Sequence, residues 1–418
     1  MKELLVISAL ALAGAAPAHA GRPEVVQTYV AIGHAAFQDS LTTGQALQQA
    51  VAALIDAPSP DTLDGARRAW RAARVPYLQT EAFRFGNPVV DDWEGKVNAW
   101  PLDEGLIDYV DPSMAGASDE NQYAALNVIA QPRFTLSGSQ IDATRITPAL
   151  LSDTLHEADA VEANVATGYH AIEFLLWGQD LHGTEAGAGE RPWTDYAQGA
   201  ACTNGNCDRR AEYLAAATDL LVSDLQAMEA AWQPDGAAAA PLLADPDRAI
   251  AAMLTGMGSL SYGELAGERM KLGLMLNDPE EEQDCFSDNT FNSHYYDGLG
   301  IRNVYLGHYT RPDGSTVTGE SLSSLVAAAD PAVDQGLRAA LDDSVARLAA
   351  IKAAGDGGTA YDQMLAQGND QGEALILAAV DALVAQTRDI ERAVTALGLS
   401  QIGFEGSDSL DSPDAVFQ

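Results

Sequence analysis

The sequence predicts an all-α fold made of two helical bundles in tandem. Alanine is abundant, and leucine recurs at spacings of three and four residues, which is typical of amphipathic helices. Runs in which Val, Ile or Thr alternate with polar residues are scarce, so the sequence gives little indication of strands. The chain of 418 residues is also longer than one hydrophobic core usually organises, which favours two domains.

The helices are placed by this periodicity and by the breaks between the periodic segments. Gly, Pro and Asp cluster in those breaks, for example in "DAPSPD" and "KAAGDGGTAYD". The boundary between the two bundles is expected in the loop from Gly178 to Cys207, which gives an N-terminal bundle over 21–200 and a C-terminal bundle over 208–418. The predicted helices are 24–56, 61–85, 119–130, 146–178, 208–233, 245–276, 319–327, 331–353 and 369–396.

The first twenty residues, "MKELLVISALALAGAAPAHA", have the pattern of a secretory signal peptide. Lys2 precedes an apolar run that ends in "AHA", a small-residue cleavage signature. No later run is long and apolar enough to span a bilayer. The sequence therefore predicts an exported protein that does not span a membrane, most simply a periplasmic one.

The net charge of −37 excludes some classes of partner. A charge of this sign opposes binding to nucleic acid and to anionic membrane surfaces. It is compatible with the attraction of cations, although solubility alone also accounts for it.

The three cysteines divide into a close pair and a single residue. Cys202 and Cys207 lie in "CTNGNC", a polar loop in which a short disulfide fits an oxidising compartment. Cys285 is left over and is interpreted as a buried thiol, with a ligand as the alternative.

The helix over "GYHAIEFLLWGQD" carries two polar groups in an apolar setting. His170 and Glu173 are three residues apart, so both lie on one helical face and could bind one cation. Burying an ionised carboxylate is costly unless it is paired or bound to a cation. The alternative is a buried His–Glu hydrogen bond that serves packing only. The segment lacks the two histidines of the zinc-protease motif, so further ligands must come from elsewhere.

A second polar face is predicted in "ARRAWRAARVPYLQTEAFRFG". Large polar and aromatic side chains recur there at spacings of four and three, which indicates a buried network or a binding wall. We expect Glu81 to complete the His170–Glu173 site; the alternative is an ion pair of Glu81 with Arg74 or Arg84. Pro76 is expected to kink the helix. The stripe consists of Trp70, Arg74, Tyr77, Glu81 and Arg84.

A separate oxygen-rich site is predicted in the second half, with Glu264, Glu268 and Asp288 as ligands. Glu264 and Glu268 are four residues apart, where like charges repel unless a cation lies between them. Pairing with the nearby Arg269 or Lys271 is the alternative. Asp288 belongs to the Asn- and Gly-rich segment 284–309, which is interpreted as an ordered loop. Asn289 and His294 in that segment could also supply ligands, although capping and surface roles are commoner.

Taken together, these segments resemble the imelysin-like family, which includes iron-regulated protein A and insulin-cleaving metallopeptidases. The resemblance rests on "GYHAIEFLLWG", with its Gly-x-His-x-x-Glu signature, and on "YLQTEAFRFG", "VNAWPLDEGLIDYV", "GELAGERM" and "CFSDNTFNSHYYDGLGIRNVYLG". It implies two helical halves related by a pseudo-twofold axis, with the signature helix at the cleft between them. Gly168, His170 and Glu173 match the signature, whereas Phe291 stands where relatives often carry a histidine.

The resemblance implies either peptidase activity or metal binding, and the residues favour metal binding. A hydrolytic site needs an open coordination position and a free carboxylate base, which Glu173 cannot be if it is itself a ligand. Carboxylate-rich ligands suit iron, as Fe2+ or Fe3+, which we expect in preference to zinc or calcium. The sequence thus predicts a periplasmic iron-binding protein of uptake or homeostasis, with an outer- or inner-membrane transport component as a possible partner. The alternatives are an imelysin-type metallopeptidase and a helical binding module without metal.

Overall fold

A computed structural model describes residues 21–112, 121–400 and 402–417, and the described part of the chain is mostly helical, as predicted. The helices are α1 (Arg22–Asp56), α2 (Pro60–Leu78), α3 (Pro88–Asn98), α4 (Glu104–Ile107), α5 (Pro148–Leu150), α6 (Gly168–Trp177), α7 (Cys207–Ala231), α8 (Ala239–Ala244), α9 (Pro246–Ser259), α10 (Gly273–Leu276), α11 (Thr290–Leu306), α12 (Leu322–Ala329), α13 (Pro331–Asp356), α14 (Tyr361–Leu365), α15 (Asp370–Ala396) and α16 (Asp408–Asp411). Two antiparallel hairpins pair β1 (Arg133–Leu136) with β2 (Ser139–Asp142), and β3 (His308–Thr310) with β4 (Thr316–Thr318).

Other helical segments, of π or 3₁₀ type, connect these elements. Two of them are π-helical, Leu151–Leu155 and Leu260–Leu272, and the second joins α9 to α10 in one continuous rod. The 3₁₀ turns are Glu81–Phe83, Ala158–Ala160, Trp193–Tyr196, Gly199–Ala201, Pro279–Glu281 and Pro413–Ala415.

Several helices begin where a capping side chain precedes a proline. Ser59 accepts a hydrogen bond from the Thr62 backbone and starts α2, with Pro60 as its first residue. Asp330 caps α13 in the same way, by accepting from the backbone of Ala332. These residues satisfy backbone N–H groups that have no partner within the helix, so the sequence fixes the starts of these helices locally.

The helices pack in two neighbouring groups. In the first, α1 lies against α2 and α7, and α6 lies against α7; in the second, α13 lies against α11 and α15. The buried apolar side chains of both groups form one continuous cluster. The division into domains at the loop 178–207 stays a prediction, and α7, which that division assigns to the C-terminal half, packs against α1 and α6.

Two predicted segments differ from the structure. The predicted helix 146–178 is broken between Leu155 and Gly168, where His156 bonds the Gly95 carbonyl and Asn164 bonds the Ala158 carbonyl. These side-chain contacts replace helical backbone bonds. The predicted loop 284–309 is instead largely α11.

Two further predictions are corrected in the first half of the chain. The predicted helix 119–130 begins outside the described residues, and its described part from 121 onward consists of turns. The polar stripe over 66–86 does not lie on one helix. Pro76 falls in the last turn of α2, and Glu81 follows in a separate 3₁₀ turn.

Cys202 and Cys207 form the predicted disulfide at the start of α7, whereas Cys285 is a half-buried free thiol. The double change Cys202→Ser, Cys207→Ser should lower the free energy of unfolding by about 2 kcal/mol, because the bond closes only a short loop. Urea unfolding with and without a reductant measures this. The reductant effect should persist in Cys285→Ser and vanish in the double variant; a wild type that is insensitive to reductant contradicts the prediction.

No helix within the described ranges is both long and apolar enough to cross a membrane. The predicted signal peptide, residues 1–20, lies outside the described residues.

Candidate metal centre

The helix α6 is buried on every side, which fixes the position of its two polar residues. It starts at Gly168, whose φ of +79° and close approach to α3 both require glycine. A Cβ at Gly168 would lie 2.5 Å from the carbonyl oxygen of Val97. The glycine of the signature therefore allows α6 to pack directly on the end of α3, with His170 and Glu173 facing the interior.

His170 and Glu173 form a buried pair that a second segment completes. Nδ1 of His170 lies 2.9 Å from Oε2 of Glu173. The other carboxylate oxygen of Glu173 accepts hydrogen bonds from the backbone N–H of Ser287 at 3.0 Å and from its hydroxyl at 2.6 Å. The loop before α11 is thus bonded to the signature helix through one glutamate.

Asp284 brings a second carboxylate to this pair. Its Oδ1 lies 3.9 Å from Nδ1 of His170 and accepts a hydrogen bond from Arg74 of α2 at 2.9 Å. Its Oδ2 accepts from Asn289 at 2.8 Å and from Ser293. Because Asp284 and Arg74 are both fully buried, three elements, α2, α6 and the loop before α11, converge on one charged group.

His170, Glu173 and Asp284 are placed so that they could hold a single metal ion. Each offers a ligand atom, and these atoms lie within 4.8 Å of one another. Two ligands at about 2.1 Å from one ion lie up to about 4.2 Å apart, which the distances of 2.9 and 3.9 Å from His170 satisfy. It is Nδ1 of His170 that faces the two carboxylates, and the fully buried Nε2 has no hydrogen-bond partner among the described residues.

Glu173 and Asp284 bring two carboxylates to the group, and Arg74 forms an ion pair with Asp284. Burial, followed by the charge of Arg74, lowers the pKa of His170 to about 3, so the ring is neutral and can act as a ligand. Burial, followed by the charge of Asp284, raises the pKa of Glu173 well above its usual value. Burial also opposes the ionisation of Asp284, but Arg74 and the donors around it together hold its pKa below the usual range. A cation would therefore compete with a proton for Glu173.

Sequence comparison assigns the chain to a family on the basis of most of its length. The imelysin family profile matches residues 33–390, a range that includes α6 and the loop before α11. The chain belongs to the imelysin family. The resemblance to this family, indicated by the Gly-x-His-x-x-Glu signature and the other sequence motifs, is thereby confirmed.

Individual relatives agree with this family. The chain is 37% identical over 83 residues to iron-regulated protein A of Synechococcus elongatus, a match that spans 20% of this chain and 21% of the relative. Among solved structures, a putative iron-regulated protein A precursor from Parabacteroides distasonis matches with 20% identity, covering 92% of this chain and 97% of the other with a TM-score of 0.64. An imelysin-like protein from Psychrobacter arcticum matches with 17% identity over 91% and 98%, with a TM-score of 0.54. These two structures share the imelysin fold.

Glu81 lies in a different cluster of this imelysin. Its carboxylate accepts a hydrogen bond at 2.9 Å from Arg269, a fully buried guanidinium that also donates to Glu264 at 2.7 Å and to Asp297 at 3.0 Å. Among the described residues it is Asp284, rather than Glu81, that stands within ligand distance of His170 and Glu173. The alternative predicted from the sequence is an ion pair of Glu81 with Arg74 or Arg84. In the structure Glu81 is paired with an arginine, but that arginine is Arg269.

Glu264, Glu268 and Asp288 are not brought together as one group of ligands among the described residues. Glu264 bonds Arg269, five residues later, because the π-helical turns place residues five apart on one face. Glu268 is half-buried on the same rod. Asp288 lies instead in a third group, with Glu282 and Asp362. For Glu264, the structure therefore shows the alternative interpretation, an ion pair with Arg269.

Other residues of the predicted loop 284–309 have separate positions. Asn289 is bonded to Asp284, and His294 is buried with both ring nitrogens unpartnered, edge-on to Tyr361. Phe291 lines a cleft with Arg71 and Asp288. Asp284 begins the segment that was singled out in the sequence, but nothing in its local spacing distinguished it from the other acidic residues there.

Proposed function

We propose that this imelysin binds one iron ion, Fe2+ or Fe3+, between His170, Glu173 and Asp284, and that it serves iron uptake or homeostasis. The observation that carries the proposal is the convergence of a neutral imidazole and two carboxylates in a fully buried group. Glu173 and Asp284 offset part of the charge of the ion, with Asp284 shared between the ion and Arg74, and a mixed nitrogen and oxygen ligand set is compatible with iron. Zinc and calcium suit this combination less well, since zinc favours sulfur and nitrogen and calcium favours oxygen alone.

Two further points support iron as the cargo. The relatives from Synechococcus elongatus and Parabacteroides distasonis are both named for regulation by iron. The apolar run and "AHA" at the start of the sequence favour export to the periplasm, where a transport component of either membrane could exchange iron with the protein.

The test is titration of Fe2+ into metal-depleted protein under anaerobic conditions. The wild type should bind about one equivalent at this site, and Glu173→Gln should lose it, because a neutral amide neither offsets the charge nor ligates as strongly. Binding should weaken as the pH falls, since Glu173, with its raised pKa, must release its proton to the ion.

The matched control is Glu162→Gln, an exposed glutamate shortly before the same helix. It should bind iron as the wild type does, and both variants should keep the helical circular dichroism. Unchanged iron binding by Glu173→Gln would refute the proposal. Multiple-turnover cleavage of an unfolded protein by the metal-loaded wild type, lost in Glu173→Gln, would favour the metallopeptidase instead.

A further inference from the structure

Three carboxylates outside the proposed iron site meet beside α11. Glu282 and Asp288 belong to the loop that precedes α11, and Asp362 lies in the first turn of α14. One oxygen of each lies within 4.8 Å of the others. Glu282 and Asp362 are almost completely buried, at 1% and 0% exposure, and Asp288 is half-buried.

These carboxylates have almost no partners in the protein. Both oxygens of Asp362, Oε2 of Glu282 and Oδ1 of Asp288 are buried without a hydrogen bond. Across the described residues, no ion pair joins any of the three to Lys, Arg or His, whereas the neighbouring Asp284 is paired with Arg74. Three negative groups in such a place are unfavourable unless a cation binds them.

The donor set and its size indicate the kind of cation. All three ligands are carboxylates, the groups that hard divalent cations prefer. Calcium binds oxygen at 2.3–2.6 Å, so two oxygens on one ion lie no more than about 5 Å apart, which this group satisfies.

The group is also within reach of solvent. Asp288 lines an open cleft of about 380 Å³, whose walls include Ser287 and Asp356. Asp180 adds to the negative field around Asp288, while Arg71 in the wall of the same cleft and His182 offset part of that field. The cluster shares the loop before α11 with the proposed iron site but no ligand.

The geometry points to a second cation site in this imelysin, at which Glu282, Asp288 and Asp362 bind one hard divalent cation, with Ca2+ as the best-fitting ion. It is independent of the iron site: it uses other side chains, offers oxygen alone, and opens to the cleft beside Asp288.

The experiment compares the wild type with Asp362→Asn by calorimetric titration of Ca2+ into chelator-treated protein. We expect the wild type to bind with a dissociation constant of about 10⁻⁵ to 10⁻³ M, and Asp362→Asn to bind at least about tenfold more weakly. Thermal unfolding without metal should be unchanged or shifted upward in Asp362→Asn, because the change removes like-charge repulsion, and among the described residues Asp362 has no ion pair to lose. Stabilisation by Ca2+ should be lost in the same variant.

Two matched variants complete the test. Asp356→Asn, an exposed change in the wall of the same cleft, should bind Ca2+ as the wild type does. Glu173→Gln should also keep Ca2+ binding, which separates this site from the proposed iron site. Should Asp362→Asn fail to fold, the half-buried Asp288→Asn is expected to show the same loss. Wild-type affinity in both Asp362→Asn and Asp288→Asn, or no Ca2+ binding by the wild type, would overturn the assignment.

Discussion

Replacing Arg269 with methionine is expected to lower the free energy of unfolding by about 3–5 kcal/mol. Arg269 is fully buried and forms ion pairs with Glu81, Glu264 and Asp297. Methionine fills much of the same space but carries no charge, so Glu81 and Asp297 would remain buried without a cation. Burial already raises the pKa of Asp297 well above its usual value, and Arg269 opposes that rise. Without Arg269, ionisation of this cluster becomes still more costly.

Urea unfolding monitored by circular dichroism measures the loss. Arg347→Met, which removes an exposed arginine paired with Asp343, should change the free energy of unfolding by no more than about 0.5 kcal/mol. A loss below about 1 kcal/mol for Arg269→Met would mean that the cluster is not held by its charge.

The same cluster decides the role of Glu81. Because its carboxylate is bonded to Arg269, Glu81→Gln should lower stability and leave the iron stoichiometry unchanged. If Glu81→Gln instead loses the bound iron, Glu81 is a ligand, as the sequence alone suggested.

Asp284→Asn is expected to weaken iron binding by about 100-fold or more, since even the loss of a group behind a ligand costs 10- to 100-fold. It should also lower the stability of the metal-free protein by about 2–4 kcal/mol, because Arg74 loses its buried counterion. The asparagine has nearly the same shape, so both effects report the charge.

The effect on stability has a defined dependence on pH. The pKa of Asp284 is lower in the folded protein, so its ionised form stabilises the fold above the unfolded pKa of about 3.9. This contribution is lost as the pH falls through the folded pKa. The difference in stability between wild type and Asp284→Asn should therefore be largest near neutral pH and shrink below about pH 4.

The matched control is Asp108→Asn, which removes another buried aspartate held by arginines. Asp108 accepts hydrogen bonds from Arg191 at 2.7 Å and from Arg210 at 2.6 Å, away from His170. It should lose stability to a similar degree and bind iron normally. Equal loss of iron binding in both variants would mean that Asp284 acts only through the stability of the fold.

Much of the helical fold could be predicted because its signals are local. The predicted helices 24–56, 331–353 and 369–396 closely match α1, α13 and α15, whose apolar residues repeat regularly. The segment 284–309 was interpreted as a loop because its Asn and Gly residues disfavour helix. In the structure those glycines allow close packing: a Cβ at Gly300 would lie 2.6 Å from the carbonyl oxygen of Gln79. Contacts with α2 therefore stabilise α11 against its local propensity.

The sequence by itself determined the family, the helical class, the disulfide and the buried His170–Glu173 pair. The disulfide and the His170–Glu173 pair depend on residues that are close along the chain, where helical spacing or loop length fixes which side chains meet. The family and the helical class depend on motifs and periodicity that recur along most of the chain. The partners of that pair were decided only by the tertiary structure. Asp284 and Glu81 are both acidic residues near candidate segments, and nothing in their spacing shows which one faces His170. Packing of the loop before α11 against α6 brings Asp284 to His170 and to its counterion Arg74, while the π-helical rod brings Arg269 to Glu81, because buried charges must find opposite charges across elements distant in sequence.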